Sequence, residues 1–129
     1  MTHPTAKVDM PKLVKDWIAL QYAEAGSQAH KDNFWAFTTL SDWCEEAPDL
    51  CWEAVGEIRR TDGSDKILAN LASGPLEDLL AQHGPQYIDA IEKLASHDEQ
   101  FRKLLGAVWQ NNIADDVWVR LKRVAGLSF

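Results

Sequence analysis

Apolar residues recur along most of the chain at intervals of three and four, whereas no run alternates between apolar and polar residues with a period of two. The first spacing is that of one face of an α-helix, and the second would indicate a β-strand. The clearest helical face contains Phe101, Leu104, Leu105 and Val108, with Trp109 at its margin. Further faces of this period contain Leu13, Val14, Trp17, Ile18 and Tyr22; Leu50, Cys51, Ala54, Val55 and Ile58; Ile67, Leu68 and Leu71; Leu76, Leu79 and Leu80; either Tyr87 or Ile88, with Ile91, Leu94 and Ala95; and Val117, Trp118, Leu121 and Val124. The pattern predicts an all-α fold of about seven to eight short helices.

The segment from about Asp32 to Glu46 is the most aromatic of these predicted helices. Its apolar side chains cover more than one ordinary stripe, namely those of Phe34, Trp35, Phe37, Leu40, Trp43 and Cys44. Two interpretations remain open, because a helix of this kind is either central and covered on two sides, or leaves aromatic surface for a partner.

Glycine and proline mark the ends of several helices in the sequence. The dipeptides Gly74-Pro75 and Gly84-Pro85 each predict a corner, with a left-handed glycine ending one helix and a proline in the first turn of the next. Short helices with tight corners and no long heptads favour a compact irregular bundle or a short α-solenoid.

Polar residues before the apolar faces predict the helix starts. Asp9 is a suitable N-cap for the first helix, and Ser96 with Glu99 has the spacing of a capping box. Either Asn111 or Asn112 is expected to cap the last helix.

The length of the chain predicts a single domain. At 129 residues it can bury a sizeable core without staples. Residues 1–8 carry no periodic face and are expected to form a flexible leader, which leaves 9–129 as the all-helical domain.

Several of these segments together resemble a family of small bacterial proteins classed as a domain of unknown function. The resemblance rests on the sequences GPLEDLL (74–80), HG (83–84), YIDAIE (87–92), LLGAVWQ (104–110) and DDVW (115–118), and covers roughly the C-terminal half. The family has no established activity, so the resemblance implies a helical fold and assigns no catalytic or binding residue.

Charge excludes one class of ligand. The chain has 20 acidic and 13 basic residues, a formal net charge of −7, which repels a phosphate backbone. The basic pairs Arg59-Arg60 and Lys122-Arg123 lie near predicted helix C-termini, where cations complement the helix dipole. We therefore expect no direct binding of nucleic acid.

Cellular location is predicted from hydropathy and cysteine usage. No run approaches the roughly twenty apolar residues of a membrane span, and the N-terminal sequence MTHPTAKVDMPK lacks the apolar core of a secretion signal. A cytoplasmic protein without a membrane segment is expected. Cys44 and Cys51 lack the spacing of a metal finger, and buried reduced thiols are favoured over a disulfide.

Catalytic motifs are not recognisable in the sequence. The residues that an enzyme could use are His83, His97 and Asp98, while Glu77 and Asp78 fit a helix first turn, where the dipole favours acids. No metal-ligand spacing, phosphate-binding loop or nucleophile elbow occurs, so neither a metal nor a cofactor is predicted. We expect a binding protein rather than an enzyme.

The first functional hypothesis is therefore an acidic protein-binding module. Its most concrete form is an inhibitor of the immunity or antitoxin type, attracted to a basic toxin or nuclease. The predicted contact residues cluster around Pro48 and are Glu45, Glu46, Asp49, Trp52, Glu53 and Glu57. The alternative is an enzyme or small-molecule-binding domain with a pocket between helices, lined by some of the six Trp residues and using His83 or His97 with a carboxylate.

Overall fold

The computed structural model describes residues 8–126, which form α-helices joined by short turns, with no strand among them. The helices are α1 (Met10–Tyr22), α2 (Gln28–Glu46), α3 (Pro48–Thr61), α4 (Asp65–Leu71), α5 (Glu77–Ala95), α6 (Glu99–Leu105) and α7 (Asp115–Val124), and a π turn (Ala72–Leu76) lies between α4 and α5. The predicted all-α fold is confirmed. The predicted leader lies outside the described residues apart from Val8, which packs against the core.

One hydrophobic core holds the helices together. Helix α1 packs on α2, α2 on α3, and α5 on α7, and the core cluster draws side chains from all seven helices. Trp43 and Phe101 are its largest fully buried side chains. No helix of the described residues has both the length and the apolar character needed to cross a membrane.

Of the two predicted Gly-Pro corners, the one at Gly74-Pro75 is wrong and the one at Gly84-Pro85 is a bend between two helical segments. The backbone stays helical through Gly74-Pro75 because the turn there widens into the π turn, which accommodates a residue that has no N–H and whose ring crowds the preceding turn. At the second dipeptide the chain bends as predicted, because His83, with φ −133° and ψ 24°, interrupts the helix and divides α5 into two segments. Neither Gly74 nor Gly84 has a positive φ.

Gly84 is required by close packing between α5 and α7. An added Cβ at this position would lie 3.1 Å from both methyl groups of Val117. This separation is tighter than ordinary contact, so the glycine lets the two helices approach each other.

The predicted caps are correct for α1 and wrong for α6 and α7. Asp9 accepts a hydrogen bond from the Lys12 N–H at 3.4 Å. Ser96 keeps helical dihedrals at the end of α5, so the cap of α6 is Asp98, whose carboxylate accepts from the Phe101 N–H at 2.9 Å. Helix α7 begins after Ala114 without a side-chain cap. Asn111 has φ 40° in a turn that buries Ile113 before the helix starts.

Candidate functional site

The predicted acidic residues form one exposed region at the junction of α2 and α3. Glu45 and Glu46 lie in the last turn of α2, and Asp49, Glu53 and Glu57 follow one another at four-residue spacing along α3. Residues four apart share a face of a helix, so the three acids of α3 form a stripe. We call Glu45, Glu46, Asp49 and Glu53 the acidic surface.

Two of the predicted acids already have partners within the chain. The Asp49 carboxylate accepts a hydrogen bond from the Tyr87 hydroxyl, and burial together with this carboxylate raises the pKa of Tyr87. Glu57 pairs with Arg60 at 2.6 Å. Glu45, Glu46 and Glu53 are exposed, and their carboxylates contact no cation among the described residues.

Trp52 is held by the core rather than presented as a free anchor. Its ring lies 6.1 Å from the Tyr87 ring and 5.9 Å, edge-on, from that of Phe101. Trp52 is half-buried and lines a small cleft of about 160 Å³, together with Glu53 and Arg60. The residue can therefore contribute a fixed aromatic ring beside the acidic surface.

The three candidate enzyme residues do not form one site. His83 Nε2 lies 3.0 Å from the backbone oxygen of Glu45, in the segment that leads into α3. Asp98 forms an ion pair at 2.9 Å with Arg59, in the last turn of α3. Since α3 is about 20 Å long at 1.5 Å per residue, these contacts lie near its opposite ends.

Asp98 and His97 also have local surroundings that do not suit acid–base work. The Phe101 N–H and, less strongly, the Arg59 guanidinium lower the pKa of Asp98, so its carboxylate stays charged and occupied. His97 is exposed, and its ring Nδ1 lies 3.5 Å from the Ser96 hydroxyl. Within residues 8–126, no group of three or more His, Cys, Asp and Glu side chains is arranged to hold a metal ion.

Cys44 and Cys51 form a buried thiol pair, as the sequence predicts. Their sulfur atoms are 2.8 Å apart, and both lie within hydrogen-bonding distance of the Pro75 carbonyl oxygen, at 3.4 and 3.9 Å. The hydrogen bond with Cys44, together with burial, raises the pKa of the Cys51 thiol. A protonated thiol is a weak nucleophile, which argues against a catalytic role for the pair. The two thiols instead pack against the π turn.

A cleft of about 250 Å³ opens between α1, α2 and the π turn. Its lining residues are Trp17, Gln21, Phe37, Leu40, Ser41, Asn70, Ser73, Gly74, Pro75 and Asp78. Sequence reasoning placed Trp17 in the core and gave Asp78 only a dipole role, and so did not predict this site. The sequence did contain one signal for this site, which is the excess of aromatic residues on α2. Two of these residues, Phe34 and Phe37, remain 45% and 48% exposed in the structure.

Comparison with known proteins gives one match. The model of a family of unknown function (DUF6869) matches residues 23–128. No curated protein and no solved structure matches the chain.

Proposed function

The chain belongs to this family of unknown function, and from its surface chemistry we propose that it is a protein-binding module whose acidic surface recognises a basic protein. The observation that carries the proposal is the exposure of Glu45, Glu46 and Glu53 on two adjoining helices without an internal cation. A positively charged partner would supply the missing counter-charges.

The position of Glu45 and Glu46 supports a role outside the fold. Both lie in the last turn of α2, at the negative end of the helix dipole, and that turn contains no basic residue. Acids at this end of a helix are unfavourable for its stability, whereas the same charges are favourable at a first turn. The stability of α2 therefore does not explain why acids occupy these positions, whereas a role in binding does.

Long-range attraction would add to these local contacts. The net charge of −7 gives the whole molecule a field that accelerates encounter with a basic surface, most strongly at low ionic strength. Proteins that cleave or bind nucleic acid have basic clefts of this kind. The specific form of the proposal is that the protein occludes such a cleft, as an inhibitor of the immunity or antitoxin type.

The alternative of a small-molecule pocket has one observation in its favour, which is the Trp17-lined cleft. Neither His83 nor His97 lines it, so the catalytic form of the alternative has no support in this geometry.

A matched pair of charge-reversal variants tests the proposal. The binding variant is Glu46→Lys with Glu53→Lys, and the control is Glu24→Lys with Glu99→Lys, which changes the net charge equally at exposed positions elsewhere. The partner is captured from a lysate of the source organism, and its association kinetics are measured across a salt series with the parent and both variants.

We expect a basic partner whose association slows as the Debye length falls toward about 8 Å, and slows far more for the binding variant than for the control. Lysine at position 46 complements the dipole of α2, so a folding defect is not expected there. Equal binding by all three proteins, without salt dependence, would refute the proposal.

A further inference from the structure

The cleft between α1, α2 and the π turn has the size of a single side chain. Its volume of about 250 Å³ is below the roughly 300–1,000 Å³ of pockets that hold drug-sized ligands. A nucleotide or a large cofactor would not be enclosed by it. An extended side chain or a short alkyl compound matches the space.

The apolar part of the cleft is aromatic. Trp17 and Leu40 are 2% and 1% exposed and form the inner wall, while Phe37 stands at the rim. The Phe37 ring is braced by Phe34, at a centroid separation of 5.3 Å. Aromatic faces pack against alkyl stems and attract cations through the negative face of the ring.

The charge in the cleft is a single carboxylate without a counter-ion. Asp78 forms no hydrogen bond or ion pair with another described residue, and no Lys, Arg or His is among the residues that line the cleft. Asp78 is exposed at the mouth of the cleft, and partial desolvation, with a smaller effect of Glu77, raises its pKa. A cation in the cleft would pair with this carboxylate.

Three uncharged polar residues of the cleft make hydrogen bonds within the protein. The Gln21 amide donates to the Trp17 carbonyl at 3.1 Å, the Asn70 amide donates to Gln21 at 2.9 Å, and the Ser73 hydroxyl donates to the Ala69 carbonyl at 3.0 Å. Each of these three groups thus has a donor engaged within the protein, whereas the carboxylate of Asp78 accepts from none of them. Asp78 is the charged residue among those that line the cleft, and its negative charge disfavours phosphate and carboxylate ligands.

The π turn brings two of these polar residues to the same place. In a regular α-helix, residues five apart point about 140° away from each other around the axis. Ser73 and Asp78 are five apart, yet both line the cleft, because the wider turn between them reduces that angle. Interruptions of this kind are frequent at functional sites in proteins.

The cleft and the acidic surface have neighbouring residues on α2. Ser41 lines the cleft and lies one helical turn before Glu45, so the two share a face of that helix. A protein that contacts Glu45 would therefore also be close to the Ser41 side of the cleft.

We propose that this cleft receives one arginine or lysine side chain of the protein partner, with its alkyl stem against Trp17 and Phe37 and its charged end at Asp78. Recognition of the cation depends only on the cleft, whereas its origin in a protein rests on the function proposed above.

The first experiment tests the cleft alone, with n-butylguanidinium as the probe and its uncharged isostere n-butylurea as the comparison. Binding is followed by NMR through the indole N–H of Trp17, with that of Trp118 as a reference outside the cleft. We expect n-butylguanidinium to shift the Trp17 signal saturably and n-butylurea to bind at least about tenfold more weakly.

Three variants locate the probe. Asp78→Asn should weaken the binding of n-butylguanidinium by about tenfold, because one charge-assisted hydrogen bond is lost. Glu99→Gln should leave the affinity unchanged. Phe37→Ala alters an exposed side chain, so the fold should be retained. Because the variant removes an aromatic contact to the butyl chain, it should weaken the binding of both probes. Equal binding of the two probes, or no effect of Asp78→Asn in a protein with unchanged circular dichroism, would overturn the proposal.

A second experiment separates the two proposals. The variant Glu46→Lys with Glu53→Lys should still bind n-butylguanidinium, even if partner binding is lost or absent. With the partner in hand, Asp78→Asn should accelerate its dissociation and n-butylguanidinium should compete with it. If the cleft binds the probe but Asp78→Asn leaves partner binding unchanged, the assignment to a protein side chain is overturned. A free alkyl cation would then be the ligand.

Discussion

Removing the charge of Asp98 should destabilise the fold by a calculable amount, because this carboxylate has two separate contacts. It caps α6 through the Phe101 N–H at 2.9 Å and pairs with the Arg59 guanidinium at 2.9 Å. Arg59 is only 7% exposed, and its Nε has no hydrogen-bond partner. Without Asp98 the guanidinium would keep the Gln100 side chain and the face of the Phe101 ring as its remaining contacts.

Two substitutions separate the contributions of the cap and the ion pair. Asparagine caps helices about as well as aspartate, so Asp98→Asn removes the charge facing Arg59 and should cost about 1.5 to 3 kcal/mol of unfolding free energy. Asp98→Ala also removes the cap, which adds about 1 kcal/mol. The control is Asp65→Asn, where the partner Lys103 and the carboxylate are both exposed, and its stability should match that of the parent.

Urea unfolding followed by far-ultraviolet circular dichroism measures these differences. The lowered pKa of Asp98 means that its stabilisation is complete above the ordinary value of 3.8 and is lost as the pH falls through the folded value. The difference between the parent and Asp98→Asn should therefore shrink in acid. An Asp98→Asn protein as stable as the parent at pH 7 would show that Arg59 does not need this charge, and would refute the reasoning.

Two further predictions concern the core. Leu104→Ala should lower the free energy of unfolding by about 2 to 5 kcal/mol, because Leu104 is 1% exposed in the core. Thermal melting measures this loss of stability, with the exposed Val119→Ala as the control. An unchanged melting temperature would contradict the packing of Leu104. Cys44 and Cys51 are both 0% exposed and the pKa of Cys51 is raised, so a water-soluble thiol reagent should label them only when the protein unfolds. Rapid labelling of the native protein would count against that burial.

Helix faces were predictable because they depend on local spacing. Phe101, Leu104 and Leu105 are buried on α6 as their spacing predicts, whereas Val108 is buried beyond the end of that helix. The cap of α6 was not predictable in the same way, because Ser96 and Asp98 are both good capping residues. The choice depends on which one leaves helical dihedrals, and Asp98 is held by Arg59, a residue distant in sequence.

Exposure was harder to predict than helicity. Tyr22 continues the apolar spacing of α1 but is 54% exposed, because its hydroxyl binds Asp62 at 2.8 Å and Ser64 at 3.0 Å. Trp109 is 71% exposed in the non-helical segment that follows α6, so the helical spacing does not apply to it.

The acidic surface and the cleft differ in what the sequence can reveal. The acids around Pro48 are neighbours in the chain, so their clustering is visible without a structure. The cleft combines Trp17, Phe37, Asn70 and Asp78, which come from four helices. It also depends on a π turn, whose extra residue leaves no pattern in hydropathy.

The contact between Gly84 and Val117 constrains how this sequence can diverge. An alanine at position 84 would bring its methyl group to 3.1 Å from both methyl groups of Val117, so the valine would have to shift by a few tenths of an ångström. A smaller side chain at position 117 would remove this conflict. The two positions are thus expected to vary together, with the size of the side chain on α7 deciding which residues the kink of α5 can accept.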